Sequence, residues 1–160
     1  MKILINIILV LIGNYAFASR LLIPMDQSQS NHLKAYGVAF WVLENDLEIK
    51  WLLNYRCGSF MLPNAKEIES ECVIRGVSYE IIADAQAIAI ESEILSPEKN
   101  MDLVKLEKVP KIAVYSPEGK QPWDDAVTLV LTYAEIPYEV IYDRQIIQGE
   151  LPKYDWLHMH

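Results

Sequence analysis

The chain has 160 residues, 52% apolar and 22% charged, with 14 basic residues against 22 acidic ones and a net charge of −8. That apolar content, with only 6 Gly and 2 Cys, excludes a disordered, collagen-like or disulfide-stapled chain and suits one domain with a packed core. The acidic balance excludes a general nucleic-acid binder, which needs clustered Lys and Arg to meet phosphates.

Lys2 opens the chain with a positive charge, Ile3 to Ile12 is an almost unbroken apolar run, and Ala16-Phe17-Ala18 puts small residues where a signal peptidase cuts. That order predicts a secretory signal over residues 1–18 and an exported product, periplasmic or extracellular, that begins at Ser19 and has no membrane partner after cleavage. The competing readings are a membrane anchor and a buried first strand. Only about 15 residues separate Lys2 from the cleavage motif, and a spanning helix needs roughly 20.

The next elements alternate. Leu21-Leu22-Ile23 reads as a short strand stopped by Pro24. Asp26, Ser28 and Ser30 are candidate N-caps for a helix from Asn31 to Glu44, whose Leu33, Tyr36, Gly37, Phe40 and Trp41 recur at helical spacing. A strand from Glu48 to Leu53 follows, then a loop from Asn54 to Ser59. Pro63-Asn64 opens a second helix with Ala65, Ile68 and Cys72 inward, ended by Gly76. Tyr79 to Ala83 reads as a strand, and a weaker helix runs from Asp84 to about Leu95. Ser96 to Pro110 reads as a polar surface connection. Ile112 to Tyr115 is a strand, and a loop holding Pro117, Gly119 and Pro122 leads to a helix from Asp124 to Glu135. Tyr138 to Tyr142 is a further strand. Asp155 to His160 looks like the start of a buried strand, which predicts the front part of a longer protein.

Strands alternating with helices over short loops predict an α/β fold: one mostly parallel sheet of about five strands with helices on both faces, flavodoxin-like, in a single domain over residues 19–160. Tyr79-Glu80-Ile81-Ile82-Ala83-Asp84 is echoed by Tyr138-Glu139-Val140-Ile141-Tyr142-Asp143. The echo reads either as local convergence or as two equivalent units of one sheet. In an oxidising compartment a Cys57–Cys72 bridge is allowed, and Cys72 reads equally as a small buried hydrophobe.

Ligands of a parallel sheet sit beyond the strands' carboxyl ends. Candidate contacts there are Asp26, Ser28, Asn31 and His32 in the first strand–helix loop, Arg56 after the next strand, and Lys120, Trp123 and Asp124 before a helix start. Amides at a helix N-terminus and the Arg56 fork suit a small polar or anionic ligand, and Trp123 suits stacking on a sugar or ring. Ordinary capping and surface polarity explain the same residues. His158 and His160 share one strand face and are weak metal candidates, with Asp26 or Asp143 as oxygen donors. The chain has no dinucleotide or P-loop glycine motif, no nucleophile elbow, no H-E-x-x-H and no C-x-x-C, so no cofactor is predicted.

Leu22 to Gly37, Trp51 to Arg56 and Pro117 to Asp125 resemble a bacterial exported family labelled asparagine synthetase B, over nearly all of the chain after residue 18. Family members are longer, and Cys57 falls where the family is expected to have Gly. The label implies glutamine-dependent, ATP-using amide synthesis. That chemistry needs a Cys directly after the initiator Met and an S-G-G-x-D-S loop, and neither is present, so no catalytic residue carries over. The strand–helix pattern is also similar to class I glutamine amidotransferase-like domains. Two functions follow as expectations: an amidotransferase-like or hydrolytic enzyme with part of its catalytic set elsewhere, or a non-catalytic module binding a small polar ligand or saccharide through Trp123, Lys120 and Arg56.

Overall fold

The computed structural model describes residues 19–117, 119 and 126–159. Residues 1–18, where a secretory signal is expected, and Lys120, Trp123, Asp124 and His160 lie outside the described residues.

Strands β1 (Ser19–Ile23), β2 (Ile49–Leu53), β3 (Ser59–Pro63), β4 (Glu80–Ala83) and β5 (Asp102–Leu106) form one sheet in the order β4-β1-β3-β2-β5. Every neighbouring pair in it is antiparallel, with registers such as Leu21↔Leu62, Trp51↔Phe60 and Lys50↔Lys105. This overturns the expectation of one mostly parallel, flavodoxin-like sheet. The reason lies in two strands that the pattern hid. β3 lies between the expected loop, which ends at Ser59, and the expected helix, which opens at Pro63; it is buried on both faces at Ser59, Phe60, Met61 and Leu62, so it shows no alternation. It inserts between β1 and β2 and runs against both. β5, read as a surface connection, is an edge strand whose Asp102 and Lys105 are the charges that blunt such edges.

Side chains alternate across this sheet, giving two cores. Leu21, Ile23, Ile49, Phe60 and Leu62 face helices α1 (His32–Glu44) and α2 (Lys66–Arg75), meeting Ala35, Val38, Val42, Ile68 and Cys72. Leu22, Leu52, Met61 and Ile82 face α3 (Asp84–Ile94), meeting Ala87, Ile90 and Ile94. Each fully buried large aliphatic side chain contributes about 1.5–3 kcal/mol. α2 ends on Gly76 at φ 67, the left-handed stop expected of it. α1 is capped by Asn31, whose side chain accepts from the Lys34 amide at 3.2 Å, and not by Asp26, Ser28 or Ser30.

The remaining elements, β6 (Ile112–Tyr115), α4 (Ala126–Ala134), β7 (Glu139–Ile141), α5 (Asp143–Ile147) and β8 (Trp156–Met159), build a second sheet in the order β7-β6-β8. This one is parallel throughout, so the strand–helix–strand reading holds here and only here. The echoed segments therefore do not belong to one sheet: β4 edges the antiparallel sheet and β7 the parallel one. What they share is local, a short edge strand handing straight to a helix whose first turn carries Asp84 or Asp143.

The halves meet at α1 and α4. Phe40 of α1 joins Ile112, Val114 and Leu131 in a third core. A Cβ on Gly37 would stand 1.9 Å from the Ala134 carbonyl oxygen, so glycine alone permits the crossing. Among the described residues no helix is long and apolar enough to cross a membrane.

Candidate functional site

β1 and β2 flank β3 and so run the same way, which carries their ends to one edge, where β4 begins. Asp26 lies three residues past β1, Arg56 sits in the turn after β2, and Glu80 opens β4. The Arg56 guanidinium joins them. Nε donates to Asp26 Oδ2 at 2.6 Å, Nη1 to Glu80 Oε1 at 2.8 Å, and Nη2 to Ser28 Oγ at 3.0 Å. Ser28 returns to Asp26 Oδ1 through its amide at 3.0 Å and its hydroxyl at 2.5 Å.

The turn that presents Arg56 is unusual. Asn54, Arg56 and Cys57 all have positive φ, at 61°, 46° and 66°, before Gly58 at 96°. Left-handed backbone costs a non-glycine residue about 1–2 kcal/mol, so the surroundings must hold it. The Met25 amide donates to the Arg56 carbonyl at 3.3 Å, Trp51 Nε1 donates to the Gly58 carbonyl at 3.1 Å, and Asn54 Nδ2 donates to the Asn100 carbonyl at 2.8 Å.

Electrostatics follow from the geometry. Arg56 first, and then the Ser28 bonds, hold the Asp26 carboxyl well below the usual carboxylate range. Asp26 and then Glu80 push the Arg56 guanidinium further up. The Tyr55 phenol is raised, by burial first. Two carboxylates face one guanidinium here, so the cluster is not an open anion fork.

Of the residues expected to bind, the fold brings Asp26, Ser28 and Arg56 into direct contact. Asn31 and His32 are close by in sequence but are bonded elsewhere. Asn31 Nδ2 donates to the Tyr133 hydroxyl at 2.8 Å. His32 Nε2 lies 3.1 Å from both the Met25 and Asp26 carbonyls, so that nitrogen carries the proton and closes the loop. His158 lies in the other sheet, in register with Val114, which separates it from Asp26. Among the described residues no group of three His, Cys, Asp or Glu is placed to hold a metal ion.

Two participants were not expected. Glu80 shows no signal beyond being the first residue of its strand. Gln29, 6% exposed, ties the loop beneath the site: Nε2 donates to the Pro24 carbonyl at 2.8 Å and the Ser78 carbonyl at 3.2 Å, while Oε1 accepts from the Ser78 amide at 2.8 Å and the Asn31 amide at 3.2 Å. A Gln inside a run of Ser and Asn carries no pattern that marks it as buried.

Other places carry less. A cleft of about 450 Å³ includes Arg20, Lys50 and Lys105, but these are paired with Asp84 at 3.3 Å, Glu91 at 2.5 Å and Glu48 at 2.7 Å. At the carboxyl ends of the parallel strands, Tyr115 donates its hydroxyl to Asp143 at 2.6 Å. Cys57 and Cys72 are unbridged, and burial pushes the Cys72 thiol up to about 12. No protein family, characterised protein or solved structure matches this chain.

Proposed function

We propose that this chain is an exported, non-catalytic module that binds a small neutral polar ligand, of the saccharide or polyol class, along the edge formed by Asp26, Ser28, Arg56 and Glu80. The observation that carries this reading is the Arg56 guanidinium bridging two carboxylates at the tip of a left-handed turn. Backbone held in sparsely populated regions concentrates at functional positions. The polar groups are fixed before any ligand arrives, which lowers the ordering cost of binding. Charge selects the class: a third anion would have to displace Asp26 or Glu80 from Arg56, whereas hydroxyls can bridge the carboxylate and hydroxyl oxygens without separating charge. Lys2, the Ile3 to Ile12 run and Ala16-Phe17-Ala18 support export. Amide synthesis gains no support from Cys72, whose thiol is buried and protonated.

The test is a backbone NMR titration of the chain from Ser19 with neutral sugars and polyols, with inorganic phosphate in parallel. Shifts confined to residues 25–32, 54–59 and 78–82, lost in Arg56→Ala and weak with phosphate, are expected. Hydrolysis of glutamine or an acyl ester by the same protein, abolished by Asp26→Asn, would replace this reading with the enzymatic one.

A further inference from the structure

We infer that the parallel sheet with α4 is a separately opening half, latched to the antiparallel half by the Glu135 carboxylate against Lys34 and Arg75 and released in acid. This is independent of the ligand reading above. The two sheets share no hydrogen-bonded strand; among the described residues, packing, one chain crossing near Val109, the Asn31–Tyr133 hydrogen bond at 2.8 Å and this latch join them. The parallel half closes its core of Ile112, Val114 and Leu131 with Phe40, which belongs to α1. Once off α1 it loses that packing, so opening and local melting are one event.

Glu135 follows the last residue of α4 at φ 61, a position where glycine is usual. A carboxylate retained there in left-handed backbone has a use. It accepts from Lys34 Nζ on α1, and Arg75 Nη1 on α2 stands 3.4 Å from its other oxygen. The other groups on this node are Glu71, bonded to Arg75 Nε at 2.9 Å, and Tyr133, whose ring lies 5.1 Å below the Lys34 ammonium. One side chain thus connects the end of α4 to two helices of the antiparallel half, α1 and α2.

Lys34, and to a smaller extent Arg75, lower the Glu135 pKa. A carboxyl lowered on folding contributes stability above its unfolded pKa and loses it as pH falls through the lowered value. The latch is therefore closed at neutral pH and opens below the ordinary Glu range. Glu139 shifts the same way, but Tyr154 and Lys111, its partners, belong to its own half. Its protonation loosens that half internally and leaves the joint alone.

Hydrogen exchange read by peptide on the chain from Ser19 tests this. Glu135→Gln at neutral pH should lower protection about fivefold in β6, β7, β8 and α4, leaving β1 to β3 unchanged, as expected for losing a partly buried ion pair. The parent should show the same selective loss on acidification, and Glu135→Gln a smaller response to pH. Lys34→Gln should lower protection in the same elements, and the double variant should cost less than the two single effects added, since the Lys34–Glu135 pair is lost in each. Equal loss of protection in both halves, or no change in the parallel half on Glu135→Gln, overturns the inference.

Discussion

Replacing Gly37 by Ala sets two calculable effects against each other. In the interior of α1 the substitution gains about 1 kcal/mol of helix propensity. At this position the new Cβ would stand 1.9 Å from the Ala134 oxygen, 3.0 Å from its carbonyl carbon and 3.3 Å from Arg75 Nη1. The nearest two are backbone atoms of α4, which cannot rotate away as a side-chain tip would. The helices must part by about 1 Å, and overpacking of this kind costs about 1–3 kcal/mol. Separation also thins the packing of Phe40 on Leu131 and stretches Lys34 away from Glu135. Crowding prevails, with a net loss of about 1–2 kcal/mol, or about 5 °C in midpoint for a domain of this size. Thermal and urea unfolding followed by circular dichroism measure it. A variant as stable as the parent, or more stable, would refute the reasoning, because propensity would then have won and α4 would not approach α1 this closely.

Cys57→Gly should raise stability by about 0.5–1 kcal/mol in a urea titration, since φ 66 strains cysteine and suits glycine. Gln29→Ala should cost about 3 kcal/mol by the same measurement, because the Pro24 and Ser78 carbonyls and the Ser78 and Asn31 amides all lose their partner. Native alkylation at mildly basic pH should modify Cys57 and spare Cys72, both reacting once the chain is denatured, as exposure and the raised Cys72 pKa require. Because its pKa is lowered on folding, Asp26 stabilises the fold above the ordinary Asp range and ceases to as pH falls through the lowered value. Carboxyl carbon shifts should show it still ionised where exposed aspartates have protonated, and in Arg56→Ala its midpoint should return toward theirs.

Helices were largely legible in the sequence because their apolar residues recur over many turns and their stops are chemical. Gly76 closes α2 where expected, and α1 and α3 differ from expectation by a residue at an end. Strands were legible only when flanked by helical segments. Ser59-Phe60-Met61-Leu62-Pro63 is short, unalternating and set between Gly58 and a Pro63 that suits a helix start, so it carries no strand signal of its own. Asp102-Leu103-Val104-Lys105-Leu106 does not alternate cleanly and sits in a charged stretch. Missing one central strand changes more than one element. Without β3, β1 and β2 look like neighbours joined by a crossover helix, and neighbours so joined are parallel. With β3 between them they keep their common direction, yet every hydrogen-bonded pair becomes antiparallel.

That accident of order explains why Asp26 and Arg56 meet although the sheet is not the expected one. The expectation that Asp26 and Arg56 lie together rested on parallel strands ending at one edge. The co-directional pair β1 and β2 satisfies this without being hydrogen-bonded to each other, and the turn into β3 brings Arg56 back toward Asp26. Glu80 could not be found by the same argument, since β4 runs the other way and contributes its beginning and not its end. A parallel sheet would have placed Asp84 at that edge. In the antiparallel one Asp84 stands at the opposite end of β4, paired with Arg20 at 3.3 Å, and Glu80 takes the place beside Arg56. Direction, more than composition, decided which carboxylate the guanidinium received.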